Sequence, residues 1–200
     1  MLDLDCYTRN RIRKDAFLRR QNQIIFVYGK GSIATLLFYQ KEKAGNWRML
    51  LKTKANIGKN GLGKIKEGDG KTPIGIFSIG MALGREKRMK TKLPYVMIYP
   101  DLYWVDDPDS FYYNQLVDNC KVGKEWKTAE HLWDYTVEYE YMIEIKYNQE
   151  RIPGKGSGIF LHCSNGGPTE GCISIGKEKV KYLIEHLEPE ALIRISPFPR

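Results

Sequence analysis

The sequence predicts a single, mainly β domain carrying one or two helices. Its 19 glycines and 13 tyrosines, against few alanines, favour strands joined by many turns. Several short runs have the β-branched and aromatic content of strands. The clearest alternates over Val137, Tyr139, Tyr141, Ile143, Ile145 and Tyr147, with mostly charged residues between, which predicts a strand with one buried face. Only Lys177–Leu187 has a convincing helical period: Val180, Leu183, Ile184 and Leu187 share one face, and Pro189 stops the helix. With 200 residues, 42% hydrophobic and 28% charged, the chain has material for one real core and lacks the composition of a disordered protein.

Taken in order, residues 1–22 are polar and basic (Arg9, Arg11, Arg13, Lys14, Arg19, Arg20). Ile12, Phe17 and Leu18 can line one helical face, so this segment is expected to be a basic arm or short helix, in its simplest form a solvated appendage. Residues 23–200 then form the domain. Ile24–Tyr28 is an apolar run, and Ile33–Tyr39 and Trp47–Thr53 flank the turn-like Lys41–Asn46 as a hairpin. Further short strands are expected at Ile76–Ile79, Tyr95–Tyr99, Ile159–Leu161, Ile173–Ile175 and Ala191–Ile195. There are no repeats and no low-complexity linker.

The formal charge of +8 and a pI near 9.2 favour polyanionic surroundings: nucleic acid, anionic lipid or the anionic polymers of a cell wall. No nucleic-acid-binding signature accompanies the charge. Cys6, Cys120, Cys163 and Cys172 follow no metal-ligand spacing, so no metal site is expected, and they are too few for a disulfide-dense scaffold. No apolar run reaches the roughly 18 residues of a membrane span. Nor does any stretch resemble a signal peptide, so the chain is expected either to be cytoplasmic or to begin after a removed export segment.

Two phosphate-binding patterns fail on inspection. Gly29-Lys30-Gly31-Ser32-Ile33-Ala34 follows a strand, but a β-like segment comes next, and Met49-Leu50-Leu51-Lys52 stands where the acidic residue should be. Gly70-Lys71-Thr72 resembles the end of a P-loop, but Ile65 occupies the position of its first glycine. His131 and His186 stand alone and are expected to be structural or exposed.

A different pattern holds. His162 ends the apolar strand Gly158-Ile159-Phe160-Leu161, a Gly- and Pro-containing loop follows, and Gly171-Cys172 leads into Ile173-Ser174-Ile175. A thiol must lose its proton to attack a carbonyl, and an imidazole brought alongside can take it. Gly171 leaves the backbone open, so the Cys172 amide and its neighbours can donate to a developing oxyanion. Spacing alone leaves open that a buried cysteine merely lies near a histidine.

This segment resembles the active-site motif of L,D-transpeptidases with the YkuD-type catalytic domain. There a histidine ends one strand and a Ser/Thr-His-Gly-Cys run opens the next. Thr169, Gly171 and Cys172 match that run, and His162 matches the upstream base. Asn56–Gly61, followed by Glu67-Gly68-Asp69-Gly70-Lys71-Thr72-Pro73-Ile74-Gly75, is similar to the family's glycine-rich stretch ending in Thr-Pro-x-Gly. Glu170 departs from the usual second histidine, and the loop from His162 to Cys172 is shorter. Residues 101–135, dense in aromatics and acids (Tyr113 and Asn114 among them), resemble an insertion over the site, with substrate binding and plain surface packing both open.

The resemblance implies a β sandwich or curved sheet with one or two helices and no cofactor. It implies that Cys172 attacks the carbonyl of the third residue of a peptidoglycan tetrapeptide stem, releases D-alanine and forms a thioester. An amine from a neighbouring stem would resolve that thioester into a 3→3 cross-link, whereas water would give carboxypeptidase activity. It further implies that the Cys163 carbonyl orients His162, that Ser164, Asn165, Thr169 and Glu170 lie near substrate, that carbapenems acylate the thiol, and that the protein works in the cell envelope. A non-catalytic wall-binding module is the remaining alternative.

Overall fold

The structure, a computed structural model, describes residues 3–199. Helices α1 (Leu4–Lys14) and α2 (Ala16–Arg19) precede strands β1 (Gln23–Lys30), β2 (Ile33–Lys41) and β3 (Trp47–Asn56). A glycine-rich loop leads to β4 (Gly75–Gly84) and β5 (Tyr95–Met97). Then come β6 (Leu102–Val105), β7 (Gln115–Asp118), the single turn α3 (Asn119–Val122) and β8 (Ala129–His131). The chain ends with β9 (Tyr141–Ile145), β10 (Phe160–Cys163), β11 (Ile173–Ile175), α4 (Lys177–His186) and β12 (Leu192–Pro197).

The main sheet runs β12-β1-β2-β3-β11-β10-β9-β4-β5, and β12 also pairs with β4, so every strand except β5 joins a closed ring. The expected curved sheet is therefore curved far enough to meet itself, which leaves few unpaired edges. Ile25, Val27, Leu36, Phe38, Leu161, Ile173 and Ile193 fill the core together with the apolar stripe of α4.

The N-terminal segment is not a solvated appendage. Asp3 caps α1 by accepting the N–H groups of Asp5 and Cys6, and Leu4, Thr8 and Ile12 recur on one buried face. That face lies on the outward residues of β1 and β2, which are Ile24, Phe26, Tyr28, Leu37 and Tyr39. This explains why the apolar run in β1 is buried on both sides. Of the three apolar residues expected on one helical face, Ile12 and Leu18 are fully buried but Phe17 is 53% exposed. Asp15 ends α1 and caps α2, and that break changes the helical phase.

The predicted strand from Val137 to Tyr147 is shorter than its alternation suggests. β9 covers only Tyr141–Ile145, and Glu138–Glu140 form a 3₁₀ turn. Val137 is exposed, while the turn directs the Tyr139 ring inward against Phe160. Alternation continued past the point where the neighbouring strand stops pairing.

Residues 101–135 build their own three-stranded sheet, ordered β7-β6-β8. Leu102, Trp104 and Leu132 pack with Leu83, Met142, Phe160 and Cys172 in one cluster, and the Trp104 ring meets Phe160 edge-on at 4.9 Å. Among the described residues, no helix is long and apolar enough to cross a membrane.

Candidate active site

Strands β10 and β11 pair in parallel, with Leu161 beside Ile173, His162 beside Ser174 and Cys163 beside Ile175. Alternation sends Leu161, Cys163, Ile173 and Ile175 into the barrel core, and leaves Phe160, His162, Cys172 and Ser174 for the opposite face. His162 and Cys172 are thus diagonal neighbours across adjacent strands.

Cys172 is only 9% exposed. Its thiol donates to the Gly158 carbonyl at 3.2 Å and accepts the Phe160 N–H at 3.3 Å. Burial, then the nearby Glu130 carboxylate, pushes the thiol up to about 12, against the opposing pull of the Phe160 N–H and Lys64. His162 is also buried, and its Nδ1 lies 2.9 Å from the Cys163 carbonyl. A carbonyl only accepts, so Nδ1 carries the proton and Nε2 keeps its lone pair. Burial holds the imidazole below its ordinary value, and Tyr139 meets the ring edge-on at 5.6 Å. At rest the site therefore holds a neutral thiol and a neutral base.

Two threonines grip the backbone of Cys172. Thr169 Oγ1 donates to the Cys172 carbonyl at 2.6 Å, and the fully buried Thr72 Oγ1 reaches the same oxygen at 3.3 Å. Thr72 Oγ1 also accepts the Gly58 N–H at 2.8 Å, tying the glycine-rich loop to the strand that carries Cys172. The loops approach so closely that a Cβ on Gly58 would sit 2.4 Å from the Gly70 carbonyl oxygen. Gly171 is similarly constrained: at φ +149° its Cβ would lie 2.9 Å from the Lys71 carbonyl oxygen.

Beneath this loop, Lys64 and Asp69 form a buried ion pair at 3.2 Å. Burial opposes ionisation of Asp69, but the N–H groups of Ile65, Lys71 and Lys66 with the Lys64 ammonium outweigh it and hold the carboxyl near about 2. Lys64 Nζ lies 3.6 Å from the place of a Gly171 Cβ, so a positive charge is fixed beside the Gly171-Cys172 segment. No group of His, Cys, Asp and Glu among the described residues is arranged to hold a metal.

Residues 22–195 match the family model of the L,D-transpeptidase catalytic domain, YkuD. The chain belongs to the L,D-transpeptidase (YkuD) family. Among solved structures, it is similar to an L,D-transpeptidase (Yku) from Stackebrandtia nassauensis at 14% identity and a TM-score of 0.44, covering 95% of this chain and 65% of that one. It is also similar to L,D-transpeptidase 1 of Mycobacterium tuberculosis at 12% identity and a TM-score of 0.39, covering 86% and 60% respectively. The chain thus spans about three fifths to two thirds of the length of these structures. No curated protein matches it.

Set in this YkuD domain, the remaining predicted site residues divide by what they bond. The Cys163 carbonyl orients His162, while its own thiol points to the Tyr141 carbonyl. Ser164 Oγ accepts from Asn56 Nδ2 and the Gly166 N–H, and Asn165 links Glu138 to the Gly167 N–H, so both shape the loop. Gly171 offers no free amide, because its N–H donates to Thr169 Oγ1 at 3.2 Å. Glu170 is exposed at the rim and pairs with Lys59 at 2.8 Å. Tyr113 and Asn114 are tied into bonds within the protein. The Tyr113 hydroxyl donates to Glu67, and Asn114 receives Trp104 and the Gly158 N–H while donating to the carbonyls of Tyr147 and Asn148. They brace the segment that supplies the Gly158 carbonyl.

Sequence reasoning passed over Thr72, Lys64, Gly158, Tyr139 and Glu130. Thr72 lay inside the Thr-Pro-x-Gly signature without a role attached. The other four act through contacts between segments far apart in the chain, for which the sequence carries no local signal.

Proposed function

We propose that this protein is a cysteine-dependent L,D-transpeptidase of peptidoglycan stems working in the cell envelope. The observation that carries the reading is the Cys172–His162 arrangement: a nucleophile fixed on one strand, and on the next an imidazole whose Nδ1 is committed to a carbonyl while Nε2 stays free. As substrate displaces the resting contacts of the thiol, Nε2 takes the proton and Sγ attacks the carbonyl of the third residue of a tetrapeptide stem. The Gly171 amide is spent on Thr169, which leaves the Cys172 amide as the backbone donor for the oxyanion. Lys64 adds positive charge beside it. Collapse breaks the bond to D-alanine, whose amine takes the proton back from His162, and a thioester remains on Cys172. An amine from a second stem then forms the 3→3 cross-link.

The test is mass spectrometry of products from a purified disaccharide-tetrapeptide. Released D-alanine with a cross-linked dimer is the expected result. D-alanine with tripeptide alone would mark a carboxypeptidase, and no D-alanine at all would defeat both. A carbapenem is expected to leave one covalent adduct per chain on the peptide containing Cys172, absent from Cys172→Ala.

A further inference from the structure

The sheet formed by residues 101–135 places beside Gly158 a carboxylate that acylation leaves unused. Glu130 lies on β8 opposite Trp104. Its Oε2 accepts the Tyr139 hydroxyl, and Oε1 is 3.7 Å from the place of a Cβ on Gly158, the residue whose carbonyl receives the Cys172 thiol. None of the ion pairs among the described residues includes it. The charged and titratable groups around it are Asp106, Glu67, Tyr135, Tyr139 and Cys172. Every one of these is acidic. Glu130 is nonetheless partly accessible to solvent, so a cation arriving from solvent can approach it.

We propose that Glu130 is a second catalytic base, which receives the amine of the incoming acceptor and removes the proton that His162 cannot take. The inference rests on the reading of Cys172 as the carrier of an acyl group. Proton balance makes the case. The acceptor arrives as R–NH₃⁺, and the overall step is R–NH₃⁺ + acyl–S–Cys172 → acyl–NH–R + HS–Cys172 + H⁺. One N–C bond forms, one C–S bond breaks, and nitrogen sheds two protons. One returns to sulfur through His162 Nε2. The other must leave before attack, because an ammonium has no lone pair, and the Glu130 carboxylate takes it and passes it to solvent. Water already has a lone pair and loses only one proton on attacking, so hydrolysis requires His162 alone. Glu130 therefore selects amine over water. Burial, reinforced by Asp106 and Glu67 and opposed by the Tyr139 hydroxyl, brings the carboxyl up to about 7, a suitable strength for this exchange near neutral pH.

The experiment measures partition of the acyl-enzyme between cross-linked dimer and hydrolysed tripeptide, with disaccharide-tetrapeptide as donor and acceptor. The ratio counts only molecules already acylated, so it does not depend on how fast a variant acylates. Glu130→Gln is expected to lower dimer over tripeptide at least tenfold at pH 7. The deficit should shrink near pH 10, where a free amine with reference pKa of about 10.4 is partly neutral. Tyr139→Phe keeps the carboxylate but removes the hydroxyl that favours its charged form, so half-maximal transfer should move to higher pH. An unchanged ratio in Glu130→Gln, a deficit equally large at pH 10, or an unmoved midpoint in Tyr139→Phe would each overturn the proposal. Wild type that forms no adduct on Cys172 with a carbapenem would instead bring down the transpeptidase reading, and Glu130 with it.

Discussion

Cys172 and His162 are both uncharged at rest for one reason: burial disfavours the ionised form of each. The consequence is measurable by alkylation. At pH 7 the exposed Cys6 and Cys120 should react with iodoacetamide well before Cys172, whose labelling should go on climbing until the pH nears about 12. Cys172→Ala should abolish turnover and move the thermal midpoint by only a few degrees, since one small side chain is lost. Equal losses of activity in Cys172→Ala and Cys163→Ala would remove Cys172 as the nucleophile. Glu130 gives stability a slope of its own. Its folded-state pKa of about 7 exceeds the ordinary 4.5, so between these values the folded protein holds a proton that the unfolded chain has released. This contribution is complete below pH 4.5 and is lost as the pH rises through about 7, in total about 3 kcal/mol. Thermal melts from pH 4 to 8 should show that decline in wild type and a flatter profile in Glu130→Gln.

At the level of elements, the strands that frame the site were the most legible, because β1, β2, β3, β10 and β11 are apolar or β-branched runs bounded by turns, and α4 carries a clear helical period. Val137 and Tyr139 misled because their alternation runs on into a 3₁₀ turn, where one side chain is exposed and the other buried beside His162. The juxtaposition of His162 and Cys172 on adjacent strands was legible too, through the strand–loop–strand pattern around them. The Thr72 grip was not, because it depends on the approach of Gly58 to Gly70, which composition cannot report. That approach yields a test. Gly58→Ala puts a methyl against backbone and should cost about 1–3 kcal/mol in urea unfolding, with a fall in turnover from the shifted Cys172 carbonyl. Unchanged turnover would show that the loop does not position the nucleophile. The N-terminal helix is a second case. Ile12→Ala, at a fully buried position, should cost about 2–5 kcal/mol although it lies far from the chemistry, whereas Phe17→Ala should cost little.

For the molecule as a whole, a closed ring explains how a thin loop holds two catalytic side chains in place: both strands of the site are paired on either side, β10 by β9 and β11, and β11 by β10 and β3. The +8 charge favours polyanionic surroundings, while the selectivity proposed above would rest on one carboxylate, Glu130. Closure has a further consequence, in time. The ring is sealed by β12, the last strand of the chain, which lies parallel to β1 and antiparallel to β4. No amount of earlier sequence can complete it, so a ribosome must pass β12 before the barrel exists. Folding should accordingly be slow and all-or-none, dominated by contacts between distant residues. A chain ending at Glu190 should show no partly folded plateau in denaturant, only the absence of a cooperative transition.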